Sequence, residues 1–246
     1  MSIMQQVKEK IDDMPAGQLI TYSQFQLAAA EFGALAAALS RLARQGVITR
    51  YGKGHYFKPK ETLFGSLKPQ ESDVIASLVH LDKGNVMYEG GIGLYNRLGL
   101  TTQIPKAVTL VTRPSQKTLR KRSVAVGNTK ITITERPVIF NKSDIPQLEI
   151  LDAFRGIKKI PATSVDETCR ILLRRLAGFQ LTAILRLAEL AQTYNPATIA
   201  LTGALLEFLG FSEAAKPLRK KLNPLSQYRL GMSEQVLPNK KNWRII

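Results

Sequence analysis

Residues 34–57, which read ALAAALSRLARQGVITRYGKGHYF, contain the pattern that decides the fold of the N-terminal part of the chain. Residues 34–45 are predicted to be a helix, because apolar side chains recur at helical spacing: Leu35, Leu39 and Leu42. Glycine follows at position 46, where the end of a helix favours a left-handed residue. β-Branched and aromatic residues then flank a glycine-rich turn at residues 52–54, which predicts a two-stranded hairpin.

Two further helices are predicted upstream of this stretch. Ser2 can cap a first helix whose apolar residues recur at spacings of four, four and three: Ile3, Val7, Ile11 and Met14. A second, short helix is predicted through residues 25–27, with Thr21 or Ser23 as its cap. Three helices followed by a hairpin are typical of a winged helix-turn-helix domain, which we place at residues 1–60.

The winged-helix interpretation predicts a set of DNA contacts. The third helix of such a domain enters the major groove, and the hairpin reaches the backbone or the minor groove. The candidate residues are Tyr22, Ser23 and Gln24 on the second helix, Ala37, Ser40, Arg41 and Arg44 on the third helix, and Arg50, Lys53, His55, Tyr56 and Lys58 on the hairpin. Alanine can only touch a thymine methyl group, so sequence preference is expected mainly from Ser40, Arg41 and the second helix. The alternative is a small helical domain whose solvated basic face contacts another protein.

The basic charge of the chain is concentrated in three blocks. The 246 residues include 35 Lys and Arg against 19 Asp and Glu, a net charge of +16. Residues 1–60 carry net +4, residues 106–142 net +8 and residues 211–246 net +6, and the segments between them are neutral or acidic. This balance favours polyanionic partners, namely DNA, RNA or acidic protein surfaces.

The densest basic cluster lies in the second of these blocks. It consists of Arg113, Lys117, Arg120, Lys121 and Arg122. The cluster can form a second surface for phosphates or an acidic partner, and it can equally be a solvated loop. The C-terminal block leaves three interpretations open, which are contact with DNA, contact with an acidic partner, and exposure to solvent.

The rest of the chain predicts a larger second domain, at residues 70–246. Residues 58–70 contain two prolines and a glycine and are typical of a linker. The predicted elements are helices over 72–81 and 89–98, strands over 107–112, 124–126, 130–135 and 138–140, and helices from residue 145 onward. The expected fold class is therefore α+β: a winged helix-turn-helix, then a mixed region with a small antiparallel sheet to about residue 142, then a mainly helical part.

Scarce cysteine and histidine exclude several classes of protein. One cysteine excludes a disulfide within the chain, and with only two histidines it argues against a zinc site. Cys169 lies in an apolar helical stripe, which predicts a small buried side chain. The N-terminus lacks the apolar run of a signal peptide, and no 18-residue apolar stretch follows. We expect a cytoplasmic protein without membrane contact.

No residue pattern typical of an active site is evident. The two histidines are predicted on separate elements, and the acidic pairs at 12–13 and 166–167 point in different directions on helices. Gly91 and Gly93 lack the third glycine of a dinucleotide motif, which favours a closely packed helix start. We therefore expect no enzyme, no cofactor and no metal. If the chain were an enzyme, its basicity would favour a nuclease that uses Mg²⁺ and scattered carboxylates.

Two segments of the chain resemble AbiEi-type antitoxins. The first combines LSRL at residues 39–42 with GVITRYGKGHY at residues 46–56, and it resembles the winged-helix start of that family. The second, GLTTQIP at residues 99–105, resembles a motif further along the family. The order of segments is similar over about the first 140 residues.

The resemblance implies a non-enzymatic bacterial antitoxin of an abortive-infection, phage-defence system. Such proteins repress their own promoter by binding inverted repeats through the winged helix, and their C-terminal domain counteracts a nucleotidyltransferase toxin of the AbiEii type. The expected partners are double-stranded DNA and the cognate toxin, opposed directly or functionally, and the expected state is a monomer or weak dimer. The alternative is a winged-helix transcriptional regulator with a C-terminal sensing or dimerisation domain.

Overall fold

The computed structural model of the protein describes residues 2–25, 27–52, 54–62, 65–67, 86–114, 121–126 and 129–246. Helices and strands are both present, so the predicted α+β class is confirmed. The chain divides into two compact units. The first combines Met1–Met87 with Lys121–Ile133, and the second combines Tyr88–Arg120 with Thr134–Ile246.

The first unit begins with a winged-helix arrangement. Its elements are α1 (Ile3–Asp12), β1 (Leu19–Thr21), a 3-10 turn at Tyr22–Gln24, α2 (Phe32–Arg44), β2 (Thr49–Gly52) and β3 (His55–Phe57). The strands form an antiparallel sheet in the order β1-β3-β2. Phe57 in the central strand pairs with Leu19 on one side and with Thr49 on the other.

An apolar core holds these elements together. Ser2 Oγ accepts a hydrogen bond from the backbone N–H of Gln5 and caps α1 as predicted. The predicted apolar stripes of both helices are confirmed, because their members are buried in one cluster: Val7, Ile11, Leu35, Leu39 and Leu42. Gly46 has φ +78°, which confirms the left-handed position after α2. Removal of these apolar faces from water fixes how α2 sits on the sheet.

The predicted second helix is replaced by two separate turns of 3-10 helix, at Tyr22–Gln24 and Ala29–Glu31. The first turn is closed by Gln24, whose side-chain oxygen accepts a hydrogen bond from the backbone N–H of Thr21 at 2.8 Å. Phe25 then continues in an extended conformation, with its side chain in the core. The prediction of one short helix is therefore wrong, because Phe25 leaves the helical conformation and places its side chain in the core.

A short hairpin follows the winged-helix segment. β4 (Lys60–Thr62) pairs antiparallel with β5 (Gly65–Leu67), so the prediction of a linker is wrong for these residues. The prolines at positions 59 and 69, which suggested a linker, stand outside the paired residues and remove no hydrogen bond from the pair. The helix predicted over 72–81 lies outside the described residues.

A strand–helix–strand segment starts the second unit. Its elements are β6 (Met87–Gly90), α3 (Gly91–Arg97) and β7 (Ala107–Thr112), and the two strands are neighbours in a sheet. The helix predicted from residue 89 begins two residues later, since residues 89 and 90 continue β6. The strand predicted over 107–112 is confirmed.

The predicted hairpin of residues 124–135 is confirmed, and its residues up to Ile133 belong to the first unit. It consists of β8 (Lys121–Val126) and β9 (Thr129–Glu135), which are neighbouring strands. Ile131 and Ile133 are buried at alternate positions, as a strand with one face on the core requires. The predicted turn at 127–128 lies outside the described residues.

Residues 145–220 form the predicted run of helices. The helices are α4 (Ile145–Gly156), α5 (Val165–Ala177), α6 (Leu181–Ala191), α7 (Pro196–Phe208) and α8 (Ser212–Lys220). Asn195 marks the predicted break, because its side-chain oxygen accepts a hydrogen bond from the backbone N–H of Thr198 and caps α7. In the part of the chain that the structure describes, no helix is long and apolar enough to cross a membrane.

The strand predicted over 138–140 is wrong, since these residues form a loop. The backbone N–H of Arg136 donates to the carbonyl oxygen of Thr112 at 3.0 Å, and the next residue, Pro137, has no N–H to continue the pairing. Phe140 is buried and packs edge-on against Tyr88, with ring centroids 5.7 Å apart. The apolar pattern reflects the packing of one side chain into the core.

Candidate nucleic-acid interface

The outer face of α2 is exposed and basic towards its C-terminal end. Ala34, Ala37, Arg41 and Arg44 are exposed and follow one another at spacings of three, four and three, so they share one face of the helix. The buried leucines of α2 lie on the opposite face of the helix. Neither arginine forms an ion pair with any residue that the structure describes.

A shallow groove of about 450 Å³ lies between the end of α2 and the wing strand β2. Its lining includes Ser40 and Arg44 from the helix and Thr49 and Arg50 from the wing. The structure thus brings predicted contacts of helix and wing to one place. We call this the helix–wing surface, which comprises Ala37, Ser40, Arg41, Arg44 and Arg50.

The wing is seated on the 3-10 turn by a close contact. Gly54 has φ +74°, and a β-carbon there would lie 3.1 Å from the ring atom Cε2 of Tyr22. Tyr56 is only 2% exposed and forms a hydrogen bond with the Tyr22 side chain. Burial, followed by the effect of Tyr22, raises the pKa of Tyr56. The prediction that Tyr56 contacts DNA is therefore corrected, because β3 turns this side chain into the core.

Gln24 and Lys58, also predicted as contacts, use their polar groups inside the unit. The Gln24 amide nitrogen donates to the carbonyl oxygen of Leu19 at 3.1 Å. The Lys58 ammonium donates to the carbonyl oxygens of Asp12 at 2.7 Å and Met14 at 2.9 Å. The Lys58 bonds tie the residue after β3 to the end of α1, and the Gln24 bond ties the 3-10 turn to β1. Both side chains therefore stabilise the elements that carry the helix–wing surface.

Other predicted contacts are placed as follows. His55 is half-buried on β3, and Arg113 is half-buried in the second unit. Three predicted contacts lie outside the described residues: Lys53, Lys117 and Arg120. The structure does not describe the side chains of three others, which are Ser23, Lys121 and Arg122.

Strand β8 lies beside β2 within the first unit. β8 begins with Lys121 and Arg122, and the wing strand in contact with it carries Arg50. Two basic blocks that are separate in the sequence therefore meet here. The predicted cluster of residues 113–122 is also divided, because Arg113 belongs to the second unit.

A buried polar cluster in the second unit was missed by sequence reasoning. Asp152 on α4 accepts hydrogen bonds from the hydroxyl groups of Tyr88 at 2.9 Å and Tyr194 at 3.1 Å. Asp152 also forms an ion pair with Arg136 at 2.9 Å. Burial, and then the Asp152 carboxylate, raise the pKa of both tyrosines, so they remain protonated donors. The four residues lie far apart in the sequence, so no local sequence motif indicates the cluster.

A cavity of about 350 Å³ adjoins this cluster within the second unit. Arg136 and Tyr194 form part of its wall. The other lining residues are Thr134, Glu135, Pro137, Val138, Arg155, Thr193 and Asn195. Small-molecule sites have volumes upward of about 300 Å³, so the cavity is a second candidate site.

The single cysteine is a core residue, as predicted. Cys169 is buried in α5, and burial is the main cause that raises its pKa to about 12. The thiol is therefore protonated and unreactive at neutral pH. Among the described residues, no three His, Cys, Asp or Glu side chains are grouped as a metal site requires.

The C-terminal basic block is partly neutralised inside the fold. Its ion pairs with described residues are Lys216–Glu213, Arg219–Glu207 and Lys241–Glu234. The Lys240 ammonium donates to the carbonyl oxygen of Met232 at 2.6 Å. Much of this charge therefore has a structural partner.

The order of helices and the β1-β3-β2 sheet place the first unit in the class of winged-helix folds. The chain belongs to DUF6088, a family of unknown function, whose model matches residues 6–176. The crystal structure of the RV2827C protein from Mycobacterium tuberculosis is similar, with a TM-score of 0.49 and 12% sequence identity, over 93% of this chain and 85% of that one. No curated protein matches the chain.

Proposed function

We propose that this protein is a DNA-binding antitoxin that represses its own promoter and counteracts a cognate nucleotidyltransferase toxin, without a catalytic step of its own. The helix–wing surface carries the DNA-binding half of the proposal. Arg41 and Arg44 are exposed on one face of α2, and Arg50 faces the same groove from the wing. A major groove admits one α-helix, and guanidinium groups bind both phosphates and guanine edges.

The antitoxin half is supported by the resemblance of residues 39–56 and 99–105 to AbiEi-type antitoxins. The second segment has a defined loop geometry, because the Asn96 amide donates to the carbonyl oxygens of Thr101 and Gln103, each at 3.3 Å. Ile104 in this loop is 85% exposed. The Ile104 side chain is therefore accessible at the surface of this loop.

The DNA-binding half is tested by fluorescence anisotropy with the DNA upstream of the gene and with a scrambled duplex. We expect specific binding, and a loss of affinity of about tenfold or more in Arg41→Ala and in Arg44→Ala, since each removes a charged hydrogen-bond donor. Lys8→Ala is the matched control, because it removes one charge from an exposed position on α1. Equal weakening by all three changes would contradict the assignment of the helix–wing surface.

The antitoxin half is tested by coexpression. The nucleotidyltransferase gene beside this gene should arrest growth when expressed alone, and coexpression of this chain should restore growth. A neighbour that is harmless alone, or a failure of rescue with the protein present at equal level, would contradict the antitoxin function while leaving DNA binding unaffected.

The cavity of the second unit favours a second candidate, a winged-helix regulator with a sensing domain. Its volume of about 350 Å³ and its arginine-containing wall suit a small effector. Gene context separates the two candidates, because an adjacent nucleotidyltransferase favours the antitoxin and a metabolic operon favours the regulator.

A further inference from the structure

We propose that the cavity of the second unit binds a small molecule with one carboxylate or phosphate group attached to a flat, apolar portion. The binding residues are Arg136 and Arg155 for the anionic group and Tyr194 and Val138 for the apolar portion. This inference concerns the second unit alone and does not depend on the proposed function.

Arg136 is held in a fixed orientation at the cavity wall. Asp152, which does not line the cavity, forms an ion pair with it, and Asp152 is itself held by the hydroxyl groups of Tyr88 and Tyr194. Burial, the largest single cause, would lower the pKa of Arg136, but the charge and hydrogen bond of Asp152, together with Tyr88 and Tyr194, raise it. A guanidinium has five N–H donors in a rigid fork, so the contact with Asp152 leaves donors for a ligand. Preorganised donors bind an anion at little entropic cost.

Arg155 supplies a second cationic group to the cavity. It lies in the last turn of α4, is exposed, and forms no ion pair with any residue that the structure describes. Asn195, the N-cap of the 13-residue helix α7, also lines the cavity, so the positive end of the helix dipole adds to the field. Glu135 is the acidic member of the lining, so the two arginines give the described lining a net positive charge.

The remaining lining is apolar or weakly polar. Pro137, Val138 and Tyr194 are the apolar and aromatic lining residues and suit a flat group, and Thr134 and Thr193 are weakly polar. A volume of about 350 Å³ accommodates a single ring with its anionic substituent, and it is too small for an extended polymer. The chemistry of the walls therefore selects a compact amphipathic anion.

The proposal is tested by isothermal titration calorimetry of the full chain with phenyl phosphate, benzoate and neutral benzyl alcohol. We expect at least one of the two anions to bind, and benzyl alcohol to bind about tenfold more weakly or not at all, because it lacks the charged acceptor. The better anion identifies the head group that the site prefers. The proposal is overturned if neither anion binds at concentrations up to about 10 mM, because such titrations resolve millimolar affinities.

Three variants locate the binding. Arg155→Gln should weaken binding of the better anion by about tenfold, and Val138→Trp should abolish it by filling the cavity. Arg174→Gln removes the same charge from an exposed position on α5 and should leave binding unchanged. Circular dichroism and the thermal midpoint confirm that each variant is folded. Unchanged binding in Arg155→Gln and Val138→Trp, or equal weakening in Arg174→Gln, would overturn the proposal.

Discussion

Side chains of the same chemical type serve different purposes in the first unit. Arg41 and Arg44 are exposed on α2, whereas the ammonium of Lys58 bonds to two carbonyl oxygens at the end of α1. The last carbonyl groups of a helix lack partners within the helix, so a nearby cation is used to satisfy them. Arg41 and Arg44 are exposed on the solvent face of their helix and form no ion pair with any residue that the structure describes, which leaves their charge for a ligand.

Asp144 in the second unit is a buried carboxylate whose charge is satisfied by hydrogen bonds within the fold. Arg186 donates to its two oxygens at 2.8 and 2.9 Å, and the backbone N–H of Asn141 donates at 2.8 Å. The hydrogen bond from Arg186 is the largest of the causes that lower the pKa of Asp144 below the ordinary value of 3.8. Because the charged form is favoured in the folded state, the contribution is complete above that value and is lost as the pH falls through the lowered pKa.

We expect Asp144→Asn to destabilise the protein by about 1–3 kcal/mol near pH 7, because it removes a charged acceptor from a buried position. The difference from wild type should shrink as the pH falls below about 3.8, because the unfolded chain takes up a proton there, and it should be lost once the pH passes the lowered pKa of folded Asp144. Urea unfolding across this range measures both quantities. The control is Glu213→Gln, whose exposed pair with Lys216 contributes little at any pH. A difference that stays constant with pH would contradict the assigned role.

The hydrophobic pattern of a helix or strand does not determine which other elements it packs against. The β8–β9 hairpin is evident from alternation along the sequence, but its position beside β2 is set by packing. This position brings the strand that begins with Lys121 and Arg122 into contact with the strand that carries Arg50. We therefore predict that the DNA-binding surface of the first unit extends to β8.

The double variant Lys121→Gln/Arg122→Gln tests this extension. We expect weaker DNA binding and a plot of log K against log salt that is less steep by about 2, since each lost phosphate contact contributes about 0.9. Lys220→Gln/Lys221→Gln removes the same charge from the end of α8 in the second unit and should leave the slope unchanged. If both double variants change the slope equally, β8 has no specific role in DNA binding.

In the molecule as a whole, the C-terminal segment completes the core of the second unit. Trp243 is buried against Gly203 of α7, and its indole N–H donates to Glu207 at 3.2 Å. The backbone N–H of Tyr228 donates to the carbonyl oxygen of Arg244 at 2.8 Å, which returns the end of the chain to the body of the unit. Residues far beyond the AbiEi-like segments are thus part of the packed structure.

Gly203→Ala tests this packing. A β-carbon at position 203 would lie 2.1 Å from a Trp243 ring atom, and the buried ring has no room to move aside. We expect a loss of about 1–3 kcal/mol in the free energy of unfolding, measured by urea titration. Gly178→Ala is the control, because its β-carbon would meet the nearest atom, the Arg175 carbonyl oxygen, at an ordinary 3.5 Å. Equal stability of the two variants would contradict the close packing of Trp243.

Periodicity in the sequence by itself determined the α+β class, the buried faces of α1 and α2, the wing, the β8–β9 hairpin and the break before α7. These features follow from local rules, because hydrophobic spacing, caps and glycine positions act over a few residues. The same rules failed at residues 25–27, 60–67 and 138–140, where the burial of Phe25, a short strand pair and the burial of Phe140 decided the outcome.

Only the tertiary structure decided which side chains share a surface. The sequence predicts that Tyr56 is an exposed wing residue, but the structure shows that it is buried. Arg44 of α2 and Arg50 of β2 line the same groove. The cluster around Asp152 joins residues 88, 136, 152 and 194, whose separation in the sequence exceeds any local pattern. Burial and proximity of this kind arise from the packing of whole elements against one another, so their sites become visible only in the folded chain.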